Sequence, residues 1–376
     1  MKNCALLLFE TGLPRNMPGF LPQYPAASLS FWGNFLFLDF IIANFSNRNN
    51  IDKFVFSVRS YNEIELLVAN RWKYSNIQYQ IIENGIDDLL NWIEEMPYNY
   101  LIFSTTSYIS LFKSSELFSL INNLPYDIVK IAVNKTPIDL YIVKKETITS
   151  MIKSYQIPSS KKREIRRYLF DEILLSAFES IEEIPGEIFF HNNLMQLYKE
   201  NMRLLEYSTT KNYRDFLRSF PPFEFQWKET HITESGFLRN SFISAATVVH
   251  GYVENSILFP GVVIEKGANI INSVIMDNNK IGPKAVIKNA IVLPFKKNTT
   301  KKYTIESRSL VGETSSSVKN TSYPEHIYEG ITVLGMNVEI PAGFKIEPGC
   351  FVAPNIPLHI LKQRNKLKKG SCIASN

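Results

Sequence analysis

Hydrophobic and polar positions fall into two regimes along this chain. Up to about residue 206, short apolar runs at 5–9, 54–58, 101–104, 129–133 and 140–143 alternate with amphipathic stretches at 33–47, 60–70 and 86–95. Strand-sized runs alternating with helical patterns predict an α/β, Rossmann-like layer on a mostly parallel sheet. In such a layer ligands bind beyond the carboxyl ends of the strands, here the loops after Phe9 and after Ser104. Two further helical patterns follow. One spans 161–179, with Ile165, Leu169, Ile173, Leu174 and Ala177 on one face, and the other spans 194–205.

From about residue 238 the period changes. Asn255-Ser256-Ile257, Asn272-Ser273-Val274 and Asn289-Ala290-Ile291 recur every 17 residues, and Ile264 with Ile281, Ala268 with Ala285, and Val253 with Ile270 and Ile287 keep the same register. Further on, Leu334, Ile340, Ile346 and Val352 recur every six, with Gly335, Pro341-Ala342-Gly343 and Pro348-Gly349 between them. Such periods predict a left-handed parallel β-helix of hexapeptide rungs, in which each rung turns one aliphatic residue inward and stacked coils bury a continuous column. Ordinary antiparallel strands would not hold several residue types in one 17-residue register. The expected organisation is therefore an α/β domain over 1–206 and a linker over 207–237 containing Pro221-Pro222. A β-helix over 238–360 and a basic tail over 361–376 follow. Within the β-helix, 294–330 reads as a polar insertion carrying little core. The tail has five basic residues and no acidic one between 361 and 370, the pattern of a solvated terminal helix.

Composition narrows the function classes. The chain has 376 residues, 45% of them hydrophobic and 20% charged, which suits two folded domains and not extended disorder. A net charge of +5, from 41 basic against 36 acidic residues, is too small to point to nucleic acid. The apolar run at 4–9 is too short for a signal peptide, and 35–45 carries Asp39 and is too short to span a bilayer. Cys4, Cys350 and Cys372 fit neither a disulfide framework nor a metal knuckle, so a cytoplasmic protein without membrane segments is expected. His191, His231, His250, His326 and His359 show no metal spacing. Asp87 and Asp88 suit a helix N-terminus.

The segment Ala27-Ser28-Leu29-Ser30-Phe31-Trp32-Gly33-Asn34-Phe35-Leu36-Phe37-Leu38-Asp39-Phe40 resembles the A-S-x-P-F-G-G-x-Y-R-L-I-D-F of ADP-glucose pyrophosphorylases (glucose-1-phosphate adenylyltransferases). These sugar-phosphate nucleotidyltransferases make the glucosyl donor for glycogen. Asn44 falls on the Asn of the family's L-S-N, and 186–205 aligns with G-Y-W-x-D-V-G-T…A-N-M-x-L-L, ending on Asn201-Met202-Arg203-Leu204-Leu205. Residues 246–292 resemble the family's β-helix, while about 110–185 looks shortened. The resemblance implies a nucleotidyltransferase-like α/β domain ahead of the β-helix. It marks Gly33, Asp39, Asn44 and Asn201 as framework residues, with Asp39 expected to cap or pair beside the first helix.

The same alignment shows losses. In place of the family's G-G-x-G-T-R-L stands Glu10-Thr11-Gly12-Leu13-Pro14-Arg15-Asn16, where only Arg15 is in register. Pro14 removes a donor and Glu10 brings a negative charge toward the phosphate site. The metal-binding Asp of S-G-D gives way to Ser104-Thr105-Thr106, and Phe190 takes the place of the Asp in W-x-D-V-G. The F-x-E-K-P lysine segment is absent. Nucleotidyl transfer needs Mg²⁺ held by carboxylates, so the resemblance implies no catalytic residue, no metal site and no cofactor, with Arg15 as a weak nucleotide or phosphate contact. It is closest to the family's non-catalytic regulatory branch. The expectation is a regulatory or scaffolding chain of glycogen (α-glucan) biosynthesis. It would associate with an active pyrophosphorylase subunit or with itself, and would hold a sugar phosphate or nucleotide weakly if at all. Two alternatives stand beside it: an active nucleotidyltransferase that makes ADP-glucose with displaced residues, and a hexapeptide-repeat acyltransferase, for which His250 is the candidate.

Overall fold

The computed structural model describes residues 4–9, 17–21, 24–45, 51–57, 71, 79–82, 86–106, 108–124, 126–154, 167–189, 193–211, 213, 215, 229–297, 302–313 and 316–374. In chain order the α/β part runs β1 (Cys4–Phe9), β2 (Ser30–Phe31), β3 (Phe35–Leu36), α1 (Phe37–Phe45), β4 (Ile51–Ser57), β5 (Tyr79–Ile82) and α2 (Ile86–Glu95). It continues through β6 (Tyr100–Thr105), β7 (Ile109–Phe112), α3 (Ser114–Asn122), β8 (Ile128–Val133), β9 (Thr136–Lys144), α4 (Lys145–Ser154), β10 (Ser180–Ile184), β11 (Gly186–Phe189) and α5 (Leu194–Met202).

Seven strands form one sheet in the order β10-β8-β9-β6-β1-β4-β5. β1 pairs in parallel with both β4 and β6, β4 with β5, and β10 with β8; only β9 runs against its two neighbours. Asn134 and Lys135 join β8 to β9, both at positive φ, as a two-residue hairpin turn requires. β1 is apolar throughout because both faces are covered. Ala5, Leu7 and Phe9 pack with Leu89 of α2 and Ile148 of α4, while Cys4, Leu6 and Leu8 pack with Ile42 of α1 and Leu117 of α3.

The second part is a parallel β-helix with three walls. Wall A stacks His231–Ile232, Val248–Val249, Val263–Ile264 and Lys280–Ile281, continued by bridges through Ile305 and Ile340. Wall B stacks Phe237–Arg239, Tyr252–Glu254, Asn269, Val286, Leu310–Val311, Lys345–Ile346 and Lys366–Leu367. Wall C stacks Phe242–Ile243, Ile257–Leu258, Val274, Ile291, Val333, Phe351–Val352 and Cys372–Ile373. Inward residues such as Val253, Ile270, Ile287 and Val311 form one buried column.

The repeated Asn-Ser pair has a local cause at the corner between walls B and C. Asn240, Asn255, Asn272 and Asn289 all sit at φ 42–48°, a left-handed conformation that Asn tolerates better than other residues with a side chain. The following serines form a ladder. Ser256 N–H donates to Ser241 Oγ at 3.2 Å, Ser273 N–H to Ser256 Oγ at 3.0 Å, and Ala290 N–H to Ser273 Oγ at 3.3 Å.

Several expectations need correction. The β-helix begins at His231 and its strands reach Ile373, so the 207–237 linker and the 361–376 tail each give residues to coils. The tail is a short helix, Leu358–Lys362, followed by two rungs, because Leu361, Leu367 and Ile373 point into the column. The insertion at 294–330 is not mere polar loop: Ile305 and Val311 enter the column, and Ile327 is fully buried. Of the helical pattern at 161–179, the described part is a π-helical stretch, Arg167–Leu174, closed by Leu175–Ala177. The pattern at 33–47 resolves into the β2–β3 hairpin and α1, and the one at 60–70 lies outside the described residues. No described helix is long and apolar enough to cross a membrane.

Candidate functional site

The segment that carries the family resemblance lies against wall C. On that wall the outward residues are apolar as well as the inward ones: Ile257, Val274, Ile291, Val333 and Phe351 are all at most 1% exposed. They share a core with Phe31, Trp32, Leu194 and Leu197 of the α/β part. Burying apolar surface on both sides of one sheet makes this seam a core in its own right.

Trp32 is its centre. The β2–β3 turn places Trp32 at φ 48° and Gly33 at φ 78°. The indole is fully buried, stacks 5.4 Å from Phe31 and meets Phe189 edge-on at 4.5 Å. Its Nε1 donates to Glu200 O at 2.8 Å, and its backbone N–H donates to Asn201 Oδ1 at 3.0 Å. Asn201 Nδ2 returns a bond to Leu197 O, so this matched residue ties α5 to the turn. Gly33 must lack a side chain, since a Cβ there would lie 2.6 Å from Phe242 Cε1 and 2.7 Å from Ser244 Oγ. Asn44, also matched, clamps α1 to β7: its Nδ2 donates to Ser110 O at 2.7 Å and its Oδ1 accepts from Phe112 N–H at 3.2 Å.

Asp39 is wholly buried on the first turn of α1. Its Oδ2 accepts Leu36 N–H at 2.7 Å, satisfying a helix N-terminal donor, and both oxygens accept from Arg71 Nε at 2.8 and 2.9 Å. Arg71 Nη2 forms a second contact to Oδ2 and donates to Asn34 O at 2.6 Å. A carboxylate so fully engaged has little capacity left for a metal ion.

At the carboxyl end of β6, Ser104, Thr105 and Thr106 are buried, and Ser104 Oγ lies 2.9 Å from Tyr108 OH. Burial raises the Tyr108 phenol well above its ordinary range, with the Ser104 contact opposing, so the phenol stays neutral. Arg15, Glu10, Pro14 and Phe190 lie outside the described residues. His250 is in the second coil, its Nδ1 3.1 Å from Thr233 Oγ1. Among the described residues no three His, Cys, Asp or Glu side chains converge as metal ligands.

Sequence reading missed the polar joints of the seam. Ser30 Oγ donates to Asp277 Oδ1 at 2.9 Å, Ala245 N–H to Asn34 Oδ1 at 2.9 Å, and Tyr198 OH to Asn272 O at 2.7 Å. Among the described residues, neither Asp277 Oδ2 nor Ser244 Oγ, both buried, has a hydrogen-bond partner. Burial pushes the Asp277 carboxyl above the usual range, against the Ser30 bond and the Lys296 charge, which pull it down. One signal was available: in the 17-residue register Asp277 falls between Pro260 and Pro294, the one acid at that corner.

Comparisons with known proteins support a hexapeptide β-helix and a likeness to one enzyme family. The family described as GlmU-like, C-terminal hexapeptide matches residues 221–334. Glucose-1-phosphate adenylyltransferase of Acetivibrio thermocellus is 30% identical over 150 residues, 37% of this chain and 32% of that protein. The enzyme of the same name from Bacillus mycoides is 32% identical over 124 residues, 32% of each, and that of Bacillus cereus gives the same figures. The chain thus spans about a third of the length of the curated relatives it matches. It is similar to these enzymes and carries a hexapeptide β-helix, which supports a related role.

Proposed function

We propose that this chain is a non-catalytic, regulatory or scaffolding homologue of glucose-1-phosphate adenylyltransferase, acting in the cytoplasm in α-glucan synthesis. Its α/β part is a nucleotidyltransferase-like domain without active chemistry, and its β-helix is left-handed, a reading supported by the six-residue period of Leu334, Ile340, Ile346 and Val352. The observation that carries this reading is the carboxyl end of β6, since Asp39, tied to Arg71 and the Leu36 N–H, is a framework residue and not a catalytic one. That strand end, where the resemblance puts a metal aspartate, carries Ser104-Thr105-Thr106 and is buried. Hydroxyls do not supply the charge that offsets a departing pyrophosphate. The partner would be an active pyrophosphorylase subunit, with Arg15 as a weak phosphate contact and no cofactor required.

The experiment is co-purification with an active homologue, followed by its kinetics with and without this chain. Association with a change in kcat, KM or effector response is expected; neither association nor any change refutes the proposal. Pyrophosphate release by the chain alone, from glucose-1-phosphate, ATP and Mg²⁺, is expected to stay at background.

A further inference from the structure

Two stretches of the chain carry basic residues with no acid among them: 278–305, with seven lysines, and the last coil. The last coil, residues 358–374, contains Lys362, Arg364, Lys366, Lys368 and Lys369 and no acidic residue. Removing these five from the 41 basic residues leaves 36 against 36 acids, so the remainder of the molecule is neutral overall. All five are exposed. Only Lys366 has a carboxylate partner, Glu347 at 2.9 Å; no ion pair is found for Lys362, Arg364, Lys368 or Lys369 among the described residues. Glu347 is already shared, since its other oxygen accepts Lys369 N–H at 3.1 Å and Lys345 lies 3.9 Å away.

A second observation is independent of charge. The rungs Lys366–Leu367 and Cys372–Ile373 each pair with one earlier coil, and no described strand pairs with their far side. Among the described residues these two strands therefore have one unpaired edge each, a template for an added strand. Leu367 is buried between exposed Lys366 and Lys368, so an extended segment laid along this edge would meet a cation at every second residue.

We propose that the last coil docks an extended acidic segment of a partner protein, added as a further rung, with carboxylates at alternate positions over Lys366 and Lys368 and flanked by Lys362, Arg364 and Lys369. Nucleic acid fits less well, because the coil offers no Phe, Tyr or Trp on which a base could stack. This inference does not depend on the α/β site being inactive.

The test uses the full chain and a fluorescein-labelled peptide of alternating Glu and Thr, read by anisotropy. Binding should weaken as salt rises. The variant Lys362→Gln/Arg364→Gln/Lys368→Gln/Lys369→Gln should lose about tenfold in affinity, while Lys266→Gln/Lys280→Gln/Lys284→Gln/Lys288→Gln, with the same change in net charge, should stay within about twofold. A peptide of the same composition with its acids in one block should bind less tightly. Equal losses in the two variants, equal binding of the block peptide, or no binding would overturn the proposal. Tighter binding of a single-stranded oligonucleotide or of anionic vesicles at matched charge would also overturn it.

Discussion

Wall C and the wall B strand of the last coil are built on the same rung, with one residue turned inward to the aliphatic column, yet their outward residues differ. On wall C the outward position carries Ile257, Val274, Ile291, Val333 and Phe351, and the α/β part closes over it. In the last coil it carries Lys366, beside Lys368, and among the described residues that edge is unpaired. The inward residue makes a coil; the outward residue decides what the coil meets. An apolar outward stripe calls for a permanent cover, whereas cations at the open edge stay hydrated and are available to a partner that comes and goes.

The sharpest way to break this contrast is at the centre of the covered side. Trp32→Ala should cost about 4 kcal/mol, since it removes a fully buried indole and its Nε1 bond to Glu200 O, and should lower the unfolding midpoint in urea with early exposure of the seam. An undiminished midpoint would show that the seam does not hold the parts together. Gly33→Ala should cost about 3 kcal/mol, from contact with Phe242 and Ser244 and from strain at φ 78°. Gly343→Ala, at φ 69° with nothing within 4 Å of its Cβ, should cost only about 1 kcal/mol from the backbone alone. Thermal melts of the pair separate packing from conformation.

Smaller again is Ser273→Ala, which leaves Ala290 N–H without its acceptor inside the ladder and should cost about 1 kcal/mol. The finest test is pH. Asp277 has a raised folded-state pKa, so its contribution to stability is complete below its unfolded value and is lost as pH rises through the folded one. Asp277→Asn should flatten that part of the stability–pH curve. An unchanged curve would show that the seam leaves this acid as it is in the unfolded chain.

Much of the architecture was legible beforehand because periodicity reports it directly. The 17-residue recurrence of Asn-Ser follows from a corner that needs a left-handed residue and then a hydroxyl to accept from the next coil. Strands β1, β6 and β8 read as apolar runs because both their faces are covered. The last coil of the β-helix was misread as a tail, because five bases within ten residues look solvated until Leu361, Leu367 and Ile373 are seen pointing inward. At the candidate site, Gly33, Asp39, Asn44 and Asn201 could be picked out by resemblance, but their partners Arg71, Phe242 and Leu197 could not.

By itself the sequence determined the local period and the corner residues, since each is a property of one residue and its near neighbours. Only the tertiary structure decided that Asp39 is tied to Arg71, that Asp277 meets Ser30 across the seam, and that the cations of the last coil flank a strand of the β-helix. Those depend on contacts between residues as much as 247 positions apart, and a carboxylate's chemistry is set by whatever the fold brings to within hydrogen-bonding distance.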